Sequence, residues 1–226
     1  MHRSQLLTLI VSLTASTFVS ASPIQNDHQL AKRAEIECYR GADFPDESKW
    51  LDFTTLFNNV KPALSKHNSG PEIGEIWNAV QSASSSSKID KRIIFSVILQ
   101  ESGGDVRTRT GDDGQSPGLM QIHGGTDCLS SSYGECPKET IHKMVNNGVQ
   151  GTGPGGADGL KTCYARYGNS YPKALRCYNS GSVTDPSNLS SVSAGTPSYV
   201  SDIGNRLQGA DPYADGATKC FGEQER

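Results

Sequence analysis

Asp90-Lys91-Arg92-Ile93-Ile94-Phe95-Ser96-Val97-Ile98-Leu99-Gln100-Glu101-Ser102 is the stretch on which the fold turns. Asp90 is a residue type that caps helix N-termini, and Ile94, Val97, Ile98 and Glu101 follow at three- and four-residue spacings. The spacing therefore predicts a helix with those four side chains on one face. A carboxyl group then emerges from an apolar face. Desolvation disfavours the charged form, so such a carboxyl keeps its proton to a higher pH than a surface glutamate and suits general acid work. The competing reading is a solvated glutamate at a frayed helix end that closes on Ser102-Gly103-Gly104, and a lone glutamate does not decide between them.

Around this stretch the pattern is helical. Thr54 to His67 and Glu72 to Ala83 carry apolar periodicity, and the run Ser84-Ser85-Ser86-Ser87 reads as a loop into the helix that ends at Glu101. Pro137 to Val149, Gly159 to Tyr167, Tyr171 to Tyr178 and Ser198 to Leu207 are further helices, with Pro137, Pro172 and Pro197 near their starts. Alternating strands are scarce. The expected fold is all-α, mainly helical, in a single disulfide-stapled domain, with a small β-ribbon possible between Asp105 and Pro117.

The first residues combine Arg3, an apolar stretch from Leu6 to Phe18 and the small-residue site Val19-Ser20-Ala21, the pattern of a cleaved signal peptide over 1–21. The apolar stretch is too short and too interrupted by Ser and Thr to span a bilayer, so no membrane anchor is expected. Residues 22–33 end on the dibasic pair Lys32-Arg33 and read as a propeptide, with 34–226 as the mature, secreted chain. The only charged residues among 1–33 are Arg3, Lys32, Arg33 and Asp27. Without them 18 basic residues face 23 acidic ones, a net charge of about −5. That balance excludes a nucleic-acid partner and gives no electrostatic pull towards anionic bacterial walls.

All six cysteines, Cys38, Cys128, Cys136, Cys163, Cys177 and Cys220, fall in the expected mature region. Six cysteines permit fifteen connectivities; the pairing expected is Cys38 with Cys220, Cys128 with Cys136 and Cys163 with Cys177. A zinc site built from His123, Cys128, Cys136 and His142 is disfavoured, because its cysteines are spaced more widely than those of structural zinc sites. Gly151-Thr152-Gly153-Pro154-Gly155-Gly156 satisfies a bare G-x-G-x-x-G, but no strand precedes it and Pro154 sits inside the turn. It reads as a loop at a cleft edge, not a dinucleotide site. Asn188-Leu189-Ser190 is an N-glycosylation sequon at Asn188.

Two further segments bear on Glu101. In Gln115-Ser116-Pro117-Gly118-Leu119-Met120-Gln121-Ile122-His123, Gly118 allows close backbone approach and the Gln121 amide can both donate and accept hydrogen bonds with sugar substituents. Alone, the segment reads equally as a buried turn. In Ala174-Leu175-Arg176-Cys177-Tyr178-Asn179-Ser180-Gly181, a helix closes on a glycine cap, Tyr178 can bring its hydroxyl near Glu101, and Asn179 can orient the segment or bind substrate. Alone, that segment is a helix stop.

Glu-Ser, then Gly-Leu-Met-Gln, then Tyr-Asn-x-Gly, with Tyr199-Val200-Ser201-Asp202-Ile203-Gly204-Asn205-Arg206 beyond, resembles the lysozyme-like transglycosylase (SLT) domain of glycoside hydrolase family 23. That group contains goose-type lysozymes and soluble lytic transglycosylases. The resemblance covers roughly residues 72 to 207, and the leader, dibasic pair and cysteines look like those of a secreted fungal member. It implies a helical lysozyme-like fold, no metal or other cofactor, and cleavage of the β-1,4 bond between N-acetylmuramic acid and N-acetylglucosamine in peptidoglycan, by a protein expected to act as a monomer. Residue by residue, it implies Glu101 as the catalytic acid with Ser102 as its usual neighbour. Gly118, Met120 and Gln121 would line the cleft with Met120 and Gln121 facing substrate, and Tyr178 and Asn179 would form the third segment. Tyr199 matches an aromatic common before the last helix. Ser180 departs from the alanine often found there.

The Gly111-Asp112 pair coincides with a Gly-Asp of the goose-type enzymes, which makes Asp112 the candidate water-positioning base and Asp113 its substitute. An inverting route needs the two carboxyls well separated, by roughly 6.5–9.5 Å. The Asp112 pair also reads as an ordinary turn, and the other goose-type aspartate falls on His123, so hydrolysis and transglycosylation both stay open. Two alternatives carry over: a chitinase on the same scaffold, and a non-catalytic secreted protein that binds sugars or a host partner.

Overall fold

The computed structural model describes residues 36–110, 112–129, 134–211 and 220. The expected signal peptide and propeptide lie outside the described residues. Seven α-helices and no strand occur among them: α1 (Phe53–Leu64), α2 (Gly70–Ser87), α3 (Lys91–Ser102), α4 (Lys138–Gln150), α5 (Leu160–Arg166), α6 (Tyr171–Ser180) and α7 (Tyr199–Leu207), preceded by a 3-10 turn at Glu47–Lys49. The all-helical expectation holds, and no helix here is long and apolar enough to cross a membrane.

α3 is the centre. Asp90 caps it by accepting from the Arg92 N–H, and Gly103 ends it in the left-handed region at φ 61°. Every residue from Ile93 to Leu99 is buried, so α3 is not an amphipathic surface helix. It is apolar on all sides because α1, α2 and α7 all pack against it. α4 lies on α2, α5 joins α4 to α6, and α6 returns to α7.

Two expectations need correction. Ser84 to Ser87 continue α2 instead of forming a loop: the Ser87 hydroxyl donates to the Ala83 carbonyl and the Ser84 hydroxyl to that of Ile89, so serines that often leave a helix here satisfy its last turn. Lys88 then ends the helix at φ 68°. The ribbon between Asp105 and Pro117 is absent among the described residues. Asp105, Thr110 and Asp112 accept from the backbone N–H groups of Arg107, Gly114 and Ser116, so side chains supply the partners a ladder would have provided.

The disulfides pair as the cysteine positions suggested: Cys38–Cys220, Cys128–Cys136 and Cys163–Cys177. Cys128 and Cys136 are therefore not thiolates, which removes the zinc alternative. The extended segment at 36–40 runs along α7. Asn205 accepts from the Glu37 N–H, Ser201 accepts from the Tyr39 N–H, and Leu51 N–H donates to Leu207 O. Gly204 makes this approach possible, since a Cβ there would stand 2.6 Å from the Tyr39 ring.

Candidate active site

Glu101 occupies the last turn of α3, where the buried core gives way to a cleft of about 710 Å³. The cleft is walled by Glu101, Asp112, Ser116, Gln121, Ile122 and His123 on one side. Ala157, Asp158, Tyr178, Asn179, Gly195 and Thr196 complete it. Four chain segments far apart in sequence thus meet around one carboxyl group.

Burial pushes the Glu101 pKa up to about 7, and one hydrogen bond opposes it: the Tyr199 hydroxyl donates to Oε1 at 2.6 Å. Tyr199 itself is fully enclosed, and burial and the neighbouring carboxylate raise its pKa well above the usual tyrosine value, so it stays a donor. A partly buried carboxyl of this kind is protonated over much of the range below neutrality and can deliver that proton to an oxygen in the cleft.

Tyr178 is close enough to Glu101 to feel its charge, but its hydroxyl donates to the Met120 carbonyl at 2.7 Å. That bond ties α6 to the 118–122 turn. Gln121 adopts φ 43°, and its amide donates to Gly118 O at 2.9 Å, which places its side chain at the cleft wall. Asn179 accepts from the Thr196 N–H at 2.8 Å and so orients the opposite wall.

Not every expected residue reaches the cleft. The Met120 side chain is fully buried and packs against Gly148, where a Cβ would stand 2.4 Å from its sulfur. The expectation that Met120 faces substrate is thereby corrected: its carbonyl, not its thioether, serves the site. Gly118 is buried at φ 82°, and a Cβ there would meet Thr126 O at 2.2 Å, so the glycine answers an internal contact instead of a bound ring. Ser102 donates to the carbonyls of Ile98 and Leu119 and accepts from the Gly104 N–H, fastening the end of α3 to the second segment from behind.

Asp112 is exposed and lines the same cleft as Glu101. Bonds from Ser116 hold its carboxyl below the usual aspartate range, so it is ionised where Glu101 is still protonated. Its partner in the motif, Gly111, lies outside the described residues. Asp113, at φ 56°, is exposed and does not line the cleft. The glycine-rich stretch does not itself line the cleft: Thr152 O–H donates to His123 O and accepts from the Ala157 N–H, behind the lining residues His123, Ala157 and Asp158. Asn188 sits apart, partly exposed in the turn after α6, where its side-chain oxygen accepts from the Ser190 N–H. Asp158, Gly195 and Thr196 were not legible as site residues, since no spacing links them to the motifs.

The family model for the transglycosylase SLT domain matches residues 78–199, from within α2 to the first residue of α7. The chain belongs to the transglycosylase SLT domain family. The matched region begins before the acid and ends on its hydroxyl donor, so it spans every segment that walls the cleft. Members of the SLT family are glycosidase-type lytic transglycosylases, which accords with a single protonated carboxyl in a polar groove. Neither a curated protein nor a solved structure shows significant similarity to the chain.

Proposed function

We propose that this SLT-domain protein is a secreted muramidase that cleaves the β-1,4 bond between N-acetylmuramic acid and N-acetylglucosamine in bacterial peptidoglycan. The observation that carries the reading is Glu101, a carboxyl with its pKa raised to about 7 at the wall of a cleft. Glu101 protonates the glycosidic oxygen and the leaving sugar departs from an oxocarbenium-like centre. Gln121 and Asn179 stand where they can engage sugar substituents, Tyr178 holds the two walls together, and Tyr199 steadies the acid. Three disulfides support an oxidising, extracellular destination. A leader over 1–21, a propeptide to Arg33 and a monomeric mature chain are part of the same proposal and rest on the sequence.

Glu101→Gln keeps the hydrogen bond from Tyr199 and removes the proton. It is expected to lower the clearing of bacterial walls by about 100- to 10,000-fold without altering the circular dichroism spectrum. Wild-type rates in that variant would overturn the assignment. Release of soluble chito-oligosaccharides by the native protein, without wall lysis, would instead point to a chitinase; binding without any product would point to a sugar-binding protein.

Two routes follow protonation: the substrate's own hydroxyl attacks, as in lytic transglycosylases, or a water does, for which Asp112, ionised on the same cleft, is the candidate base. Asp112→Asn is expected to suppress the hydrolytic muropeptides by about 100-fold while leaving any anhydro-muramoyl products in place. Mass spectrometry of the digest separates the two, and exclusively anhydro ends from the native protein would remove Asp112 from the chemistry.

A further inference from the structure

Arg176 on α6 is fully buried, and a guanidinium inside a protein is costly unless it is paired. Its Nη2 donates to the Thr196 carbonyl at 2.8 Å, whereas Nε and Nη1 have no hydrogen-bond partner among the described residues. No carboxylate is among the groups that set its charge, and burial pulls its pKa down to about 10. The guanidinium carbon instead stands 6.0 Å from the centre of the Tyr199 ring. The hydrogen bond and the ring contact of the guanidinium thus reach a residue of the cleft wall and the donor to Glu101.

We propose that Arg176 is a positioning residue for the acid: it polarises the Tyr199 hydroxyl that donates to Glu101 and holds the Thr196 wall opposite. The role rests on Glu101 being the acid of the proposed reaction. A cation over the ring stabilises the partial negative charge that the phenol takes on as it donates, so the O–H becomes a stronger donor. A stronger donor stabilises the Glu101 carboxylate more than the carboxylic acid. The carboxylate is what Glu101 becomes when it gives up its proton, so Arg176 assists the step without touching substrate. The groups that face Glu101 are Tyr199 from α7 and Tyr178 from α6, with Asp112, His123 and Asp158 along the cleft; Arg176 acts from behind Tyr199.

The test is a nuclear magnetic resonance titration of the Glu101 side-chain carboxyl carbon in four proteins: native, R176M, Y199F and the double variant. R176M is expected to raise the Glu101 midpoint by about 0.5 to 1 pH unit. The alkaline limb of the wall-lysis rate should follow it upward, and the rate on the acid plateau, where Glu101 is protonated in both proteins, should fall by about 2- to 5-fold. In Y199F the same substitution should leave the midpoint where Y199F alone puts it. A folded R176M with an unmoved midpoint overturns the proposal, and so does an equal shift in Y199F, which would mean a direct charge effect. R176Q keeps a donor for the Thr196 carbonyl without the charge and serves if R176M does not fold; loss of the fold in both makes Arg176 a structural residue and also overturns it. The titration needs no substrate. Failure of the native protein on bacterial walls would refute the muramidase reading while leaving the measured coupling intact.

Discussion

Glu101 is held in an environment that opposes its own charge. Its folded pKa of about 7 exceeds the value of 4.5 expected of a free glutamate, so the folded chain binds a proton that the unfolded chain has released. The stability this contributes is complete below the unfolded value and is lost as pH rises through the folded one. Glu101→Gln removes the titration yet still accepts from Tyr199. It should therefore match the native protein in urea unfolding near pH 4 and exceed it at pH 8 by about 1–3 kcal/mol. Equal stabilities at pH 8 would show that the carboxyl is better solvated than its place in the cleft implies. A variant more stable and less active is the expected signature of an acid kept buried for its chemistry. The position of Glu101 was legible in the sequence because an apolar helix ended on it; the donor to it was not. Tyr199 lies 98 positions away, and only the packing of α7 against α3 brings its hydroxyl to Oε1.

Helix starts were the most readable elements, since Asp90 caps α3 and Pro137, Pro172 and Pro197 stand at or just before the starts of α4, α6 and α7. The connection between α3 and α4 was the least readable. Its geometry comes from side chains that reach backbone groups, with no period to follow, and from a buried carboxylate on a different helix. Glu72 at the start of α2 closes a capping box with Ser69 and also accepts from Arg107 and from the Cys136 N–H. One carboxylate thus pins the loop that leaves α3 and the disulfide loop that enters α4. Burial alone would raise its pKa, but Arg107 and the two backbone N–H groups outweigh burial and hold it below the ordinary glutamate value. Its contribution is present above the unfolded pKa and lost as pH falls through the lower folded one. Glu72→Ala leaves Arg107 without its carboxylate and Cys136 N–H without an acceptor, and should cost about 3–5 kcal/mol at pH 7. The deficit should shrink as pH falls through the lowered folded value, below which the native carboxylate is protonated too. A cost that stays constant with pH would mean that packing, not charge, is what Glu72 supplies.

The three disulfides do different work across the molecule. Cys163–Cys177 joins α5 to α6 directly behind Tyr178 and Asn179, over a separation of 14 residues. Cys38–Cys220 spans 182 residues and secures the extended segment along the outer side of α7. In the loop-entropy view the longer closure restrains the unfolded chain more, by about 5 kcal/mol against about 3. The site depends on them in the opposite order. Removing Cys38–Cys220 leaves the bonds from Ser201 and Asn205 to the segment, and Tyr199 stays enclosed by α3 and α6. Removing Cys163–Cys177 frees the helix whose last turn forms the cleft wall and carries Arg176. C38S/C220S should therefore lose the more stability in urea unfolding while keeping the native rate of wall lysis, measured well below the melting temperature. C163S/C177S should lose less stability but more activity, by roughly 10-fold, because misplacement of a positioned wall by about 1 Å costs rate steeply. If the two variants ranked the same way in both measurements, the cleft would share one rigid body with the whole chain, and the separation between scaffold and site drawn from these contacts would not hold.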